Sequence, residues 1–514
     1  MQPRISGAAA SAIPFPLTGP AKDLVCLLSG AALPLAFAPW NFPWLAIVSP
    51  GVLFYCWLDA RPVVAFRRGL LFGLGMFGVG VSWLHISLYE FGGMSLVAAV
   101  GTTLVVVAYL ALFPAAVGFL GRHLDRAGRA AQCLGVVPAL WTLGEWVRNW
   151  LLSGFPWLHL GYSQTDTPLA GVAAVGGVFA VSWVVAIMAG TAVLVCTGAR
   201  RERLYAVAAA ELVATTAWAG AGHDWTRHTG VVLKATLVQG AIPQQLKWRD
   251  EERLHSLDVY RELTQSHWDS DIIVWPETAI PAFKHQIQNY LDELAARAVQ
   301  NGVDLYVGLP YLDESRAEYF NSVFLVNRPG HMYNKRHLVP FGEYFPLKPL
   351  LRNLLASLDI PMSDFTPGES SKPVLVGINA TAGISICYED TFGEEVIQSL
   401  PEAQILINVS NDGWFGDSAA PHQHLQMARM RSLETGRYLL RATNTGISAV
   451  IDAGGAVLAR SPQFAPSALS ATVELTDGLT PYARFGNLPV VAAAFLLAAV
   501  IPCAGRRKAG QTKT

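Results

Sequence analysis

Long apolar segments occupy most of the first 221 residues of the chain. A helix needs about 20 apolar residues to cross the hydrocarbon core of a bilayer. Eight segments approach this length, at 23–39, 42–58, 69–87, 94–120, 131–150, 169–196, 203–221 and 485–503. Only 15% of the 514 residues are charged, against about 25% in soluble proteins. The sequence therefore predicts a polytopic α-helical membrane domain with eight spans and excludes an ordinary soluble enzyme.

Basic residues mark alternate connections between the predicted spans. The clusters are Arg61, Arg67 and Arg68, then Arg122, Arg126 and Arg129, then Arg200, Arg201 and Arg203, and finally Arg506, Arg507 and Lys508. The connections near 39–42, 88–93 and 151–168 contain neither lysine nor arginine. Because basic residues near span ends are retained in the cytoplasm, both termini are predicted to be cytoplasmic. In a bacterium, the segment between the last two spans would then face the periplasm from the inner membrane.

That segment has the pattern of a globular α/β domain. From Val231 onward, short β-branched runs alternate with amphipathic helices. Strands are predicted at 233–239, 271–275, 303–308, 321–326, 383–387, 405–409 and 440–443, and helices near 250–267, 286–301, 391–400 and 421–437. The predicted domains are 1–228 with seven spans, 229–484 as the globular domain, and 485–514 as the eighth span and cytoplasmic tail.

Charge and histidine patterns exclude two classes of partner. The chain has 37 Lys and Arg residues against 38 Asp and Glu residues, so its formal net charge of -1 argues against nucleic-acid binding. His422 and His424 are two residues apart, and no acidic residue lies in register with them. The local pattern therefore predicts no metal site.

One cysteine differs from the others in its position. Five of the six cysteines lie in or at the ends of predicted spans, namely Cys26, Cys56, Cys133, Cys196 and Cys503. Cys387 alone lies in the globular domain, where it cannot form an internal disulfide. It follows a predicted strand, and Thr391 and Glu394 have the spacing of a capping box that would open a helix. A helix N-terminus favours a thiolate, but from these residues alone a buried structural cysteine stays equally open.

Two other segments offer the groups that a nucleophilic thiol needs. The run 272–277, reading IIVWPE, is a buried-type strand that ends in the carboxylate of Glu277, and active sites of α/β domains lie at such strand ends. Lys335 follows Tyr333-Asn334 and could stabilise developing negative charge. On residue types alone, a surface ion pair between Glu277 and Lys335 is the alternative.

These strings resemble a known catalytic pattern. The segments around Glu277, Lys335 and Cys387 are similar to the Glu-Lys-Cys triad of the nitrilase superfamily. The string KRHLVPFGEY at 335–344, the string NVSNDGWFG at 408–416 and the run that ends in TNTGIS at 448 resemble the apolipoprotein N-acyltransferase family. The similarity covers nearly the whole chain. It implies a nitrilase-like α-β-β-α sandwich domain inserted before the last of eight membrane spans.

The resemblance also implies the chemistry. Glu277 would act as the general base, Cys387 would attack the sn-1 ester of a phospholipid, and Lys335 would stabilise the oxyanion. The resulting thioester would pass its acyl chain to the α-amino group of a diacylglyceryl-cysteine at the N-terminus of an apolipoprotein. This would be the final step of lipoprotein maturation. No cofactor is implied.

Further residues are implied around the triad. The supporting residues are Glu343, Tyr388 and Glu389, and the residues expected around the acyl pocket are Trp248, Trp414 and Phe415. For Glu343 the alternative is a solvated turn carboxylate. For the aromatic residues it is ordinary core packing.

Two patterns connect the sequence to lipid. Leucines at 347, 350, 351, 354, 355 and 358 form one apolar stripe, which predicts either a core-packing helix or an arm in the membrane interface that guides lipid to Cys387. Glu145 and Arg148 are spaced i, i+3, so they could form an interfacial ion pair or contact a lipid head group.

Two other functions compete with acyl transfer. A membrane-tethered nitrilase-type amidase or hydrolase would use the same triad, with water resolving the thioester. Seven preceding spans are more than a tether requires, which favours acyl transfer. A transporter would carry polar residues in mid-span, and these are scarce here.

Overall fold

The computed structural model describes residues 19–247, 249–344, 365–369 and 371–511. Nothing is described for the side chains of 221, 250, 251 and 504–511. Trp248 and the leucine stripe at 347–358 lie outside the described residues, so both stay predictions.

The first half of the chain, called here the helical half (19–221), consists of helices joined by short turns. The longer helices are α1 (Gly19–Ala32), α2 (Leu45–Trp57), α3 (Pro62–Gly80), α4 (Leu96–His123), α5 (Val137–Arg148), α6 (Ala173–Thr197) and α7 (Arg200–Ala221). Short helical turns lie at Leu33–Ala36, Leu84–Ile86, Ser87–Phe91, Arg129–Ala131, Gln132–Val136, Leu151–Ser153, Leu160–Gln164 and Pro168–Val172.

The eight predicted spans are not confirmed. Among the described residues, three helices are long and apolar enough to cross a membrane, at Pro62–Gly80, Leu96–His123 and Pro168–Thr197, and two shorter apolar helices lie at Leu45–Trp57 and Leu488–Cys503. The first predicted span is interrupted because α1 ends before Leu33-Pro34 and leaves a helix of 14 residues. In α7, charged residues such as Arg203 and Glu211 lower the hydropathy. The remaining spans stay predictions.

The second half is built from two six-stranded sheets and is called here the sandwich domain. The strands are β1 (Arg227–Gln239), β2 (Ile272–Val274), β3 (Asp304–Asp313), β4 (Glu318–Leu325), β5 (Met332–Asn334), β6 (Val374–Val376), β7 (Thr381–Ile386), β8 (Ile405–Ser410), β9 (Leu439–Thr443), β10 (Ala449–Ile451), β11 (Val457–Arg460) and β12 (Ser467–Asp477). The sheet orders are β12-β1-β2-β3-β4-β5 and β11-β10-β9-β8-β7-β6. Three neighbouring strands run parallel in each sheet, β1-β2-β3 and β7-β8-β9.

Helices cover the outer faces of both sheets. They are α8 (Asp250–Gln265), α9 (Gln288–Asn301) and α10 (Ala420–Thr435), and α11 (Leu488–Gln511) follows the domain. Shorter helical turns lie at Lys284–Ile287, Cys387–Thr391, Gly393–Val396, Ile397–Ser399, Asp412–Phe415 and Pro481–Phe485.

Alternation along the strands explains the layers. In β2, Ile272 and Val274 belong to the core between the two sheets, whereas Ile273 packs in the core beneath α8 and α9. In β8, Ile407 faces the inter-sheet core and Leu406 faces α10. Successive side chains of a strand point to opposite faces, so strands that are apolar throughout form the two inner layers of a sandwich. The predicted nitrilase-like fold with two sheets is confirmed.

The segment after Cys387 differs in part from the prediction. A 3₁₀ turn, Cys387–Thr391, comes first, and the helix predicted near 391–400 is reduced to four α-helical residues, Gly393–Val396, followed by a 3₁₀ turn, Ile397–Ser399. The capping box is wrong because the hydroxyl of Thr391 donates to the carbonyl of Tyr388 at 2.7 Å, and Phe392 occupies the N-cap position. The thiol therefore lies on a tight turn rather than at the start of a full helix.

The turn that carries Cys387 packs directly on the helical half. Tyr388 and Phe392 belong to one buried cluster with residues of the helical half, and the ring of Tyr388 stacks on Trp157 at 5.9 Å. Glu145 and Arg148, predicted as a pair, bond instead to the connection between α5 and α6. The Glu145 carboxylate accepts from the backbone N–H of residue 160 at 2.9 Å, and Arg148 donates to the carbonyl of residue 155 at 3.0 Å.

Candidate active site

One cavity of about 200 Å³ brings together Glu277, Lys335 and Cys387. Glu277 follows β2, Lys335 comes directly after β5, and Cys387 comes directly after β7. The cavity thus lies at the carboxyl ends of parallel strands, where α/β domains place their sites. The three residues that the sequence predicted as a triad share this cavity, although they are up to 110 residues apart in the chain.

The ammonium group of Lys335 is buried and lies between two carboxylates. Its Nζ is 2.8 Å from Glu343 Oε2 and 3.8 Å from Glu277 Oε1. Burial lowers the pKa of Lys335, but the carboxylates of Glu343 and Glu277 outweigh this effect and raise it above its usual value. Lys335 is therefore a permanent cation on the wall of the cavity. The sequence left open that Glu343 is a solvated turn carboxylate, but in the structure Glu343 contacts Lys335 directly.

Asn321 holds the two carboxylates in place. Its Nδ2 donates to Glu277 Oε1 at 2.7 Å and to Glu343 Oε1 at 3.0 Å. The other oxygen of Glu343 accepts from the backbone N–H of Val339 at 2.8 Å. Asn321 lies on β4, which pairs with β5, so the sheet register brings it beside Lys335. The sequence did not indicate Asn321 as a site residue, because its only predicted feature was its place in the strand at 321–326.

The half-buried Cys387 has an unusual backbone conformation. Its φ of 51° lies in the left-handed region that non-glycine residues rarely adopt. Such strain is typical of functional sites. Burial raises the pKa of the Cys387 thiol, Glu277 raises it further, and Lys335 lowers it. A thiol in this environment is protonated at rest, so its activation requires a base.

Glu389 ties the nucleophile turn to the lysine segment. Its Oε1 accepts hydrogen bonds from the hydroxyl of Tyr333 at 2.9 Å and from the backbone N–H groups of Arg336 at 2.7 Å and His337 at 3.2 Å. Its Oε2 accepts from the backbone N–H of Ile386 at 2.8 Å. Burial and the nearby Glu395 raise the pKa of Glu389, and the backbone donors of Arg336 and Ile386 offset this only in part.

Residues of the helical half close the other side of the cavity. Leu84, Leu88 and Gly92 line it together with Trp414 and Phe415 of the sandwich domain. The ring of Phe415 lies 4.9 Å from Trp83, and that of Trp414 lies 5.5 Å from Phe91. Both predicted pocket aromatics therefore border the cavity and contact the helical half.

Tyr388 supports the turn from behind. Its hydroxyl donates to the carbonyl of Gly154 at 2.8 Å, which attaches the Cys387 turn to the connection between α5 and α6.

Lys247 is a further buried group that the sequence did not indicate. Its Nζ donates to the backbone carbonyl of Glu277 at 3.4 Å, and burial lowers its pKa to about 8.

His424 has two acidic partners, and both lie outside its local helical register. Asp390 and Asp412 lie on either side of its ring, each 2.9 Å from one ring nitrogen. They are 34 and 12 residues away, so a search for partners in helical register could not find them. Within the described ranges, no group of three or more His, Cys, Asp or Glu residues could hold a metal ion.

A larger cavity of about 750 Å³ lies between α4, α5 and α11. It is lined by apolar residues such as Phe113, Leu140 and Phe495 and contains none of the triad. Because it lacks the groups that acyl transfer needs, the smaller cavity at Cys387 is the candidate active site.

Comparisons with known proteins cover both halves of the chain. A family profile described as apolipoprotein N-acyltransferase N-terminal domain matches residues 29–191, and one described as carbon-nitrogen hydrolase matches residues 234–478. A protein named apolipoprotein N-acyltransferase from Methylococcus capsulatus is 47% identical over 91% of this chain and 93% of its own length. Proteins of the same name from Nitrosomonas europaea and Vibrio cholerae are 42% and 38% identical, over 93% and 91% of this chain and 97% and 94% of their own lengths.

Two solved structures each match about half of the chain. A carbon-nitrogen hydrolase from Helicobacter pylori has 17% sequence identity and a TM-score of 0.37, and the match covers 48% of this chain and 90% of that structure. A Nesterenkonia amidase of the nitrilase superfamily has 18% identity and a TM-score of 0.37, with 50% of this chain and 95% of that structure covered.

Proposed function

The chain belongs to the apolipoprotein N-acyltransferase family, and from this premise we propose that Glu277, Lys335 and Cys387 carry the acyl transfer. The enzyme is an acyltransferase of lipoprotein maturation with a nitrilase-like domain. The observation that carries the proposal is the common cavity, in which a thiol, a carboxylate and a permanent cation face one space.

In the first half-reaction, Glu277 removes the proton of the Cys387 thiol. The sulfur attacks the carbonyl carbon of a phospholipid sn-1 ester, and a tetrahedral oxyanion forms. Lys335 stabilises this oxyanion because it is already charged, buried and held by Glu343, so that little reorganisation is needed. When the intermediate collapses, the C–O bond breaks, Glu277 returns the proton to the leaving oxygen, and a lysophospholipid departs. The acyl chain stays on Cys387 as a thioester.

In the second half-reaction, the α-amino group of a diacylglyceryl-cysteine attacks the thioester. An amide forms, Glu277 accepts the amine proton, and Cys387 leaves as the thiolate and is reprotonated. The two substrates use the same site in turn, which is a ping-pong mechanism. Both carry acyl chains, and the apolar wall of Leu84, Leu88, Trp414 and Phe415 suits such chains.

The proposed location is the bacterial inner membrane, with the sandwich domain in the periplasm and both termini in the cytoplasm. The three long apolar helices and the alternating arginine clusters support it. The proposed domains are 1–228, 229–484 and 485–514. The first boundary falls within β1, two residues after the strand begins at Arg227, and the last lies three residues before α11 begins at Leu488.

The rival function is a nitrilase-type amidase or hydrolase, in which water discharges the thioester. The sandwich domain alone fits both functions. The cavity favours acyl transfer, because part of its wall comes from the helical half and is apolar. An enzyme that used water as the acceptor would not need this wall.

Mass spectrometry of the purified protein incubated with phospholipid vesicles tests the proposal. We expect a mass increase of one acyl chain on Cys387, its discharge by a diacylglyceryl-cysteinyl peptide, and no adduct in Cys387→Ala. Cys196→Ala is the matched control, because this exposed cysteine lies on α6 in the helical half, and it should acylate like the wild type. Discharge by water as fast as by the peptide would favour the hydrolase, and an adduct on another residue would refute the assignment of the nucleophile.

A further inference from the structure

Four buried charged side chains form a closed ring behind the Cys387 turn. Asp390 and Asp412 each contact both His424 and Arg441. The histidine contacts are 2.9 Å each, and the arginine contacts are 2.8 Å to Asp390 and 3.0 Å to Asp412. All four residues are at most 2% exposed. The ring, called here the charge ring, joins four separate elements: the turn after β7, the turn after β8, α10 and β9.

The charge ring reaches the nucleophile by two routes. Arg441 donates to Asn408 Oδ1 at 2.5 Å, and Asn408 Nδ2 in turn donates to the carbonyl of Cys387 at 3.4 Å. On the other side, the hydroxyl of Ser410 donates to Asp412 Oδ1 at 3.0 Å. A side-chain hydrogen bond with Ser410 and the charge of Asp412 both act on the pKa of the Cys387 thiol. The ring is therefore connected to both the backbone and the sulfur of the nucleophile.

The geometry fixes the charge of His424. Its Nδ1 faces Asp412 Oδ1 and its Nε2 faces Asp390 Oδ1, and ionised carboxylates only accept hydrogen bonds. A neutral imidazole has a single N–H, so one of these contacts would place two lone pairs against each other. The imidazolium satisfies both contacts. It also makes the ring neutral, because two cations then balance two anions.

We propose that His424 is a positioning residue of the acyl transfer, held as an imidazolium, and that it acts on the reaction by keeping the charge ring behind Cys387 neutral. Without this proton the ring would carry one uncompensated negative charge beside the thiol. A neighbouring negative charge disfavours the thiolate and slows its formation. The inference rests on the proposed function in one respect, namely that Cys387 is the nucleophile.

The surroundings of His424 agree with this role. The groups that face it are Asp390, Asp412 and Arg441, together with the ring of Trp157 from the helical half at 5.9 Å. Burial and Arg441 lower the pKa of His424, but the two aspartates outweigh them and raise it to about 9. His422, on the same helix, has a lowered pKa because of burial and Arg460. Only one of the two histidines is therefore held in its charged form.

The rate of alkylation of Cys387 by iodoacetamide at pH 7 tests the inference, with the adduct read at the Cys387 peptide by mass spectrometry. At this pH His424 keeps its proton in the wild type, because its pKa is raised to about 9. His424→Gln should lower the rate about tenfold, as expected when an uncompensated negative charge raises the pKa of a thiol by about one unit. His424→Lys, which keeps a cation, should stay near the wild type. The double variant His424→Gln/Asp412→Asn restores a neutral ring and should also return to the wild-type rate. His422→Gln is the matched control and should leave the rate unchanged.

A purely structural role makes a different prediction. It lowers the melting temperature in the His424 variants without changing the alkylation rate, or it slows the double variant as much as His424→Gln alone. Either result overturns the inference. If His424→Gln does not fold, the lysine and double variants carry the test, because an alkylation rate about tenfold below that of the wild type in either refutes a charge-balancing role. Failure of the proposed function is separate, since it appears in the wild type as the absence of an acyl adduct on Cys387.

Discussion

Glu389 accepts a hydrogen bond of 2.7 Å from the backbone N–H of Arg336, the residue that follows Lys335. The same carboxylate accepts at 2.8 Å from the backbone N–H of Ile386, the residue that precedes Cys387. One buried carboxylate thus joins the ends of β5 and β7, which are followed directly by Lys335 and Cys387, the proposed catalytic residues. The relative position of these two groups depends on a residue that need not touch the substrate.

Glu389→Gln should therefore slow acylation of Cys387. Glutamine offers one carbonyl oxygen and an NH₂ group, so it cannot accept all four hydrogen bonds that Glu389 receives. Each buried donor left unpaired costs about 1–3 kcal/mol, and a misplacement of about 1 Å can slow catalysis roughly 100-fold. We expect a rate loss of at least about tenfold in the acyl-adduct assay and a lower melting temperature. Glu402→Gln, at an exposed carboxylate paired with Lys372, is the control, and a wild-type rate in Glu389→Gln would contradict the role.

The two carboxylates beside Lys335 should differ in their effects. Glu277→Gln removes the proposed base, so no thioester should be detectable by mass spectrometry. Glu343→Gln weakens the 2.8 Å contact that holds Lys335, and the thioester should still form, about 10- to 100-fold more slowly, because a catalytic group is displaced rather than removed. Equal losses in the two variants would mean that Glu343 also takes part in proton transfer.

The sequence predicted the site residues that lie in short local strings, and it missed contacts between residues that are distant in the chain. Glu277, Lys335 and Cys387 each lie in a short recognisable string, so the site could be predicted without knowing the fold. The partners of His424 come from other elements, and no local spacing indicates them. Strands β5, β6 and β10 contain three residues each, too few to show an alternating pattern.

The capping box was wrong, and the first predicted span is interrupted, each for its own physical reason. The spacing of Thr391 and Glu394 matched a capping box, but a tight turn after Cys387 had already engaged the threonine hydroxyl. Leu33-Pro34 interrupts the first apolar segment with a 3₁₀ turn, although its composition resembles a span. Hydropathy measures composition and does not show where a helix ends.

His337 should make the stability of the enzyme depend on pH. Burial lowers its pKa, but the Glu395 carboxylate at 2.6 Å and the carbonyl of Ser153 outweigh this effect and raise it above 6.5. A group whose pKa is raised by folding stabilises the protein fully below its unfolded-state pKa, near 6.5, and loses that contribution as the pH rises through the folded-state value.

The difference in melting temperature between the wild type and His337→Gln measures this contribution. It should be largest below about pH 6.5 and should shrink as the pH rises above that value. His331→Gln, at an exposed histidine, is the control and should follow the wild type at every pH. A difference that does not vary with pH would mean that His337 contributes through packing on Phe392, 4.1 Å away, and not through its charge.

Phe415 should influence which acyl chains the enzyme accepts. Its ring lines the cavity of Cys387 and lies 4.9 Å from Trp83 in an edge-to-face contact, so it closes the space between the sandwich domain and the helical half. Phe415→Ala opens this side of the cavity, and each additional CH₂ group that is then buried contributes about 0.8 kcal/mol. With vesicles containing a mixture of sn-1 chains, the adducts on Cys387 should shift toward longer chains, as measured by intact-protein mass spectrometry. Phe464→Ala, at an exposed ring outside the cavity lining, should keep the wild-type distribution. An unchanged distribution in Phe415→Ala, at a melting temperature close to that of the wild type, would mean that the acyl chain lies along another wall of the cavity.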